Sequence, residues 1–266
     1  MILDVRRLAA NYGRQPVFSG IDFTLRENEL LAILGPNGAG KTTMLKCING
    51  ILKPKTGAVL IEGADILRMP AALIARSIGY VAQNQEPARL TAFDAILLGR
   101  KPHMGWRVAG KDLRIADAAV KRLGLEKLAL KYTDQMSSGE LQKVSIARAL
   151  VQEPTVLLLD EPTSSLDLKN QLEILRTIRM AITSHPVGAI MTMHDLNLAM
   201  RFADSFLLLK DGRIHAGGDI SGITPEMIKE AYGVDVRIIT MQGCPVVLPC
   251  GEKYGGKNLE NNGKAG

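Results

Sequence analysis

Two patterns of apolar and polar positions divide this chain. Short apolar runs recur at 30–34, 78–82, 156–160 and 189–193, and each reads as a strand buried on both faces. Helical stretches separate them, which predicts an α/β core built on a parallel sheet. The opening is different. Residues 2–7 and 18–26 predict strands, and Ile21, Phe23 and Leu25 alternate with polar neighbours as on a half-buried antiparallel sheet. Residues 57–63 add a strand to that opening sheet. Between Gln83 and Val156 no strand pattern occurs. There Leu113, Ala116, Val120 and Leu123 share one face of a helix predicted over 111–123, with Gly124 as its stop, and 141–151 predict a second helix. A helical insert, about 86–152, thus separates two strands of the core. Later elements are a helix over 168–183, a hairpin over 206–216 turning at Asp211-Gly212, and a short helix from Thr224-Pro225 to Tyr232. Residues 234–249 have β character, and 251–266, rich in Gly, Lys and Asn, are expected to be a disordered tail.

Composition changes this picture little. With 46% hydrophobic and 23% charged residues, the 266-residue chain has the make-up of an ordinary globular protein. No run approaches the roughly 18 apolar residues of a membrane span. The start, Met1-Ile2-Leu3-Asp4-Val5-Arg6, does not read as a signal peptide, and Cys47, Cys244 and Cys250 have no metal-ligand spacing. Reduced thiols in the cytoplasm are the simple expectation. The net charge of +6 is concentrated: residues 100–131 carry nine Lys/Arg against Asp112, Asp117 and Glu126. Such an excess suits nucleic acid, an anionic membrane surface or a plain solvated helix face.

Chemistry enters at the carboxyl ends of the core strands, where ligands of parallel sheets bind. After the first run, Gly35-Pro36-Asn37-Gly38-Ala39-Gly40-Lys41-Thr42-Thr43 fits G-x-x-x-x-G-K-[ST] between a strand and a helix. Its glycines let successive N–H groups face one phosphate-sized concavity, and the following helix adds about half a positive charge. Lys41 suits the β- and γ-phosphates, and the Thr42 hydroxyl suits Mg²⁺. The pattern implies a nucleoside triphosphate. The second run is followed by Gln83 and the fourth by His194. The third ends in Asp160-Glu161, two acids pointing opposite ways: Asp160 is placed to hold Mg²⁺ and Glu161 to polarise an attacking water. Finally, Ser137-Ser138-Gly139-Glu140 has capping-box spacing before a helix and could be a plain helix start or a second phosphate-binding surface.

Taken in order, the phosphate loop, Gln83, Ser137–Glu140, Asp160-Glu161, Ser165-Leu166-Asp167 and His194 resemble the nucleotide-binding subunit of an ABC transporter. The resemblance runs from Met1 to about Gly218. It implies a P-loop NTPase (RecA-like) core with an N-terminal antiparallel β subdomain and an inserted α-helical subdomain, in one domain over 1–250 with a C-terminal extension from 219. It implies ATP and Mg²⁺, and a head-to-tail dimer in which each ATP touches the phosphate loop of one copy and Ser137–Glu140 of the other. Tyr12 matches the aromatic that stacks on adenine, and Gln83 the glutamine that senses Mg²⁺ and the membrane subunit. Asp167 matches the loop crossing the dimer interface, and His194 the γ-phosphate histidine. The usual signature is Leu-Ser-Gly-Gly-Gln; here Ser138 replaces the first glycine, and the expected result is weaker closure or slower turnover without loss of activity.

Two shorter stretches, 194–199 and 231–236 with Pro245-Val246-Val247, resemble importers of iron–siderophore, haem and cobalamin, with molybdate and tungstate importers sharing them. The implied protein is a peripheral ATPase at the cytoplasmic face of the membrane. It would dock on two permease subunits near residues 84–106 and draw substrate, a ferric siderophore foremost, from an extracytoplasmic binding protein. Rival readings are an ABC ATPase acting on nucleic acid or ribosomes, disfavoured by the single cassette, and a non-catalytic regulatory cassette, disfavoured by Lys41, Glu161 and His194.

Overall fold

In the computed structural model, which describes residues 1–84 and 88–250, the opening sheet forms first. Strands β1 (Leu3–Tyr12) and β2 (Gln15–Leu25) pair antiparallel, and β1 is flanked on its other edge by β4 (Thr56–Ile61). Both hairpin strands are longer than the pattern predicts. Arg7 and Gly20 sit at positive φ, and the register slips between Val5 and Leu8, so the alternation that marks a strand is broken midway. The two-residue β5 (Ala64–Asp65) closes the sheet in the order β2-β1-β4-β5.

The core sheet takes its strands from the four apolar runs. These are β3 (Leu30–Leu34), β6 (Ile78–Val81), β7 (Val156–Leu159) and β8 (Gly188–Thr192), each within a residue of expectation. Strand β9 (Ser205–Lys210) pairs parallel with β3, and β10 (Arg213–Asp219) returns from it through Asp211-Gly212, giving the order β10-β9-β3-β8-β7-β6. Helix α1 (Lys41–Ile48) follows β3, α2 (Ala71–Ser77) leads into β6, and α6 (Leu168–Ser184) crosses from β7 to β8. Helix α7 (Leu196–Phe202) follows β8. The chain closes with α8 (Pro225–Tyr232) and a separate hairpin of β11 (Val236–Met241) and β12 (Cys244–Pro249).

The insert carries a core of its own. Helices α3 (Ala92–Leu97), α4 (Gly110–Arg122) and α5 (Ser138–Leu150) bury Ile96, Ala116, Val120, Val144 and Ala147 against one another. The other face of α5 sends Ile146 and Ala149 into the main core beside Leu157 and Ile174. Helix α5 starts at Ser138, three residues before the expected Leu141, because the capping box sits at the very start of the helix. The expected tail, 251–266, and residues 85–87 of the expected docking stretch lie outside the described residues.

Two expectations for the insert need correction. Leu113 is 44% exposed, and its neighbour Asp112 is buried instead. And the positive charge of 100–131 is not one free face. Arg100, 2% exposed, donates to Asp112 Oδ1 at 3.1 Å, to Glu153 Oε2 at 2.7 Å and to the Val151 carbonyl at 2.6 Å. Lys121 pairs with Asp117 and Lys131 with Glu140. Counting charge along the chain cannot see these partners, because Glu140 and Glu153 come later in sequence. The Arg100 hydrogen bond, with help from the Ala109 N–H and the Arg100 charge, holds the Asp112 carboxyl below the usual carboxylate range despite its burial. Arg100→Met leaves Asp112 without its counter-charge and is expected to lower the melting temperature by about 5–10 °C, measured by calorimetry.

Candidate nucleotide site

The site begins where β3 runs out of partners. Its last residue, Leu34, pairs with Leu208 of β9, and Gly35 then turns at φ 140 against that strand. A Cβ at Gly35 would lie 2.3 Å from the Leu209 carbonyl oxygen, so only glycine lets the chain leave the sheet here. Residues Pro36, Asn37, Gly38, Ala39 and Gly40 curl over the start of α1. Lys41, 6% exposed, reaches back across that curl, its Nζ donating to the carbonyls of Gly35 at 2.7 Å and Pro36 at 3.1 Å. Burial lowers its pKa from the ordinary lysine value, against the opposing charges of Glu161 and Asp160. A cavity of about 400 Å³ opens over this loop, lined by Tyr12, Asn37, Gly38, Lys41, Thr42, Thr43 and Glu161 among others. Tyr12, 55% exposed at the end of β1, is thus brought to the same cavity as the phosphate loop.

Beneath the loop sits Asp160, just past β7 and 1% exposed. Its Oδ1 accepts from the Thr42 hydroxyl at 3.0 Å and the Thr192 hydroxyl at 2.8 Å; its Oδ2 accepts from Tyr80 Oη at 3.4 Å. Burial pushes the Tyr80 phenol well above its usual pKa, and the Asp160 charge adds to the effect. An alcohol beside an ionised carboxylate is the hard-oxygen pair that suits Mg²⁺, which commonly binds one or two protein oxygens and fills its other positions with water and phosphate.

Glu161 is directed elsewhere. Its φ of 47 puts it in the left-handed region, rare and strained for a residue with a side chain, and turns its carboxylate toward the cavity. There Oε2 accepts from Gln83 Nε2 at 2.6 Å, and Oε1 pairs with His194 Nε2. The ends of β6, β7 and β8 therefore meet on one carboxylate. Three of the four sequence candidates converge as the parallel-sheet argument requires.

Ser137, Ser138, Gly139 and Glu140 form a second cluster that does not line this cavity. The capping box is complete: Ser137 Oγ accepts from the Glu140 N–H at 3.3 Å, and Glu140 Oε2 accepts from the Ser137 N–H at 2.9 Å. Lys131 donates to the same carboxylate at 2.8 Å and, with the Ser137 N–H, holds its pKa below the usual glutamate range. Gly139 packs on Asn170, where a Cβ would lie 3.0 Å from the amide, while Ser138 is exposed. Asn170 also binds the Asp167 carboxylate, which caps α6. So Asp167 stands with the signature segment and apart from the phosphate loop.

Thr192 and Tyr80 are the residues the motif search passes over. Each is a polar group inside an otherwise apolar core strand, which is the only local sign either gives. Thr192 does double duty, donating to Asp160 while accepting from the Glu161 N–H at 2.8 Å. Thr192→Val keeps the shape but leaves the Glu161 N–H without its acceptor and takes one donor from Asp160 in a fully buried place, and is expected to cost about 1–3 kcal/mol in denaturant-unfolding stability.

The ABC transporter family pattern matches residues 18–164, the span holding the phosphate loop, Gln83, the signature segment and Asp160-Glu161. An uncharacterised ABC transporter ATP-binding protein of Methanocaldococcus jannaschii is 51% identical over 94% of this chain and 99% of its own. A siderophore transport system ATP-binding protein of Bacillus subtilis is 31% identical over 94% and 93%. Relatives named for hemin, cobalamin and phosphonates import also match along most of the chain. Among solved structures, an inward-facing metal-chelate type ABC transporter superposes with a TM-score of 0.80 at 28% identity, covering 93% of this chain and 97% of that one. The chain belongs to the ABC transporter family, as one of its ATP-binding, ATP-hydrolysing subunits.

Proposed function

We propose that this ATPase energises import of a metal chelate, a ferric siderophore foremost, as the cytoplasmic partner of a membrane permease. The observation that carries the chemistry is the grip of Gln83 and His194 on Glu161 at the edge of the phosphate-loop cavity. Tyr12 stacks on adenine, and residues 35–43 wrap the phosphates. Thr42, Asp160 and Gln83 would hold Mg²⁺. Mg²⁺ neutralises charge on the β- and γ-phosphates when bound. Glu161 takes a proton from the attacking water, and His194 orients Glu161 and contacts the γ-phosphate. Phosphoryl transfer asks chiefly for such positioning and charge neutralisation.

The placement of Ser137–Glu140 outside its own chain's cavity supports a head-to-tail dimer, in which a second copy supplies that segment and its Asp167 loop to the open side of the nucleotide. Ser138, exposed in the first turn of α5, then faces the partner's phosphates. One groove suits the permease: a cleft of about 760 Å³ between α2, α5 and the segment after α3, lined by Ile51, Ala72, Leu98 and Pro102. Ile51 and Leu98 are 59% and 49% exposed, as surfaces awaiting a partner are. Tyr80 lines the same groove and touches Asp160, a short path from permease to metal site. Among the described residues no helix is long and apolar enough to cross a membrane, so attachment would run through this groove.

For the substrate, the support is the likeness to the siderophore transport protein and to the metal-chelate type transporter structure. Haem, cobalamin and molybdate or tungstate import remain the alternatives, and none of the specificity resides in this chain. Glu161→Gln is expected to slow steady-state ATP hydrolysis about 10²–10⁴-fold while ATP binding persists; near-normal turnover removes Glu161 from the role. Reconstituted in lipid with its permease, the ATPase is expected to be stimulated by a binding protein loaded with ferric siderophore. Stimulation only by a haem- or cobalamin-loaded protein overturns the substrate and keeps the importer.

A further inference from the structure

Beyond residues 18–164, the two short stretches at 194–199 and 231–247 make contacts that reach the nucleotide site at two points. At the first, the Gly35 N–H donates to the Tyr232 hydroxyl at 2.8 Å. Tyr232 is the last residue of α8, and Gly233 ends that helix in the left-handed conformation. Gly35 is the residue at which the backbone leaves β3, so its N–H has lost the ladder that served Leu34. Tyr232 supplies the missing acceptor, and the Leu209 carbonyl closes in from the other side. At the second, Asn197 in the first turn of α7 binds both backbone groups of Val247 in β12. Its Oδ1 accepts from the Val247 N–H at 2.7 Å, and its Nδ2 donates to the Val247 carbonyl at 3.4 Å. Asn197 lies three residues after His194. Val247 is 6% exposed and packs in the cluster that holds Met193 and Leu198, so this anchor point is itself fixed.

We propose that α8 and the β11–β12 hairpin are a positioning unit for ATP, with Tyr232 setting the base of the phosphate loop and Asn197 setting the backbone that carries His194. The two contacts serve different parts of the nucleotide. The phosphate loop meets phosphates present in both ADP and ATP, whereas His194 meets only the γ-phosphate. Neither side chain lines the cavity over the phosphate loop, so both act through backbone they hold. The burial of Tyr232, which raises its phenol pKa against the Gly35 hydrogen bond, keeps the hydroxyl a neutral partner. This inference rests on the nucleotide site proposed above.

The two roles separate in measurement. Tyr232→Phe removes one oxygen and keeps the ring; it is expected to weaken ADP and a non-hydrolysable ATP analogue alike, by about three- to tenfold in Kd, with kcat at saturating ATP within about twofold. Asn197→Ala is expected to leave ADP affinity within about twofold and to lower kcat about five- to thirtyfold. Lys41→Ala is the control for the site itself and should abolish binding of both nucleotides. The proposal is overturned if Tyr232→Phe binds both nucleotides as the parent does. It is also overturned if both variants lose affinity and turnover together in step with a lower melting temperature, the pattern of general support. Parent-like nucleotide binding by Lys41→Ala condemns the site, a result distinct from either.

Discussion

One buried carboxylate organises the centre of this protein. Asp160 has no exposed surface to speak of, and a carboxylate in such a place is tolerable only when its lone pairs are filled. Three elements fill them: the start of α1 through Thr42, β8 through Thr192 and β6 through Tyr80. Tyr80 and Thr192 are thereby pinned at the carboxyl ends of their strands, and Thr42 in the first turn of α1. The geometry of the phosphate loop, the turn into Glu161 and the approach of His194 are all referred to this one charge. Unsatisfied buried charge is costly enough to make that arrangement rigid rather than optional.

The second constraint is mechanical. Helix α5 begins in the signature segment and ends in contact with both cores, its two faces committed to the insert on one side and the main sheet on the other. The groove lined by Leu98 and Pro102 is bounded by the same helix through Arg148 and Ala149. That groove and Ser137–Glu140 are thus joined by one helix. Arg100 ties the far end of that helix to α4 through Asp112 and the Val151 carbonyl.

Much of this was legible in the residues alone, for physical reasons. Doubly buried strands announce themselves as short, mostly aliphatic runs, and the polar residue after each run sits at the ligand end of the sheet; that is why Gln83, Glu161 and His194 come together. The opening strands run longer than their alternation shows because the bulges at Arg7 and Gly20 break it. The helical face that contains Leu113 is turned outward there because Asp112, one position away, is held inward by a partner twelve residues earlier. Thr192, Tyr80, Tyr232 and Asn197 act through contacts between residues far apart in the chain, and a hydroxyl or amide on its own carries no sign of where its proton goes. The resemblance supplied the second copy and the permease, which no periodicity contains.

The turn at Glu161 has a further consequence. A residue with a side chain held at φ 47 stores roughly 1–3 kcal/mol of backbone strain. Glycine there would release it. With Glu161 in the role proposed for it, the residue that serves hydrolysis and the residue that would make the toughest molecule differ at this position, and selecting the chain for heat tolerance alone would drift away from an active enzyme.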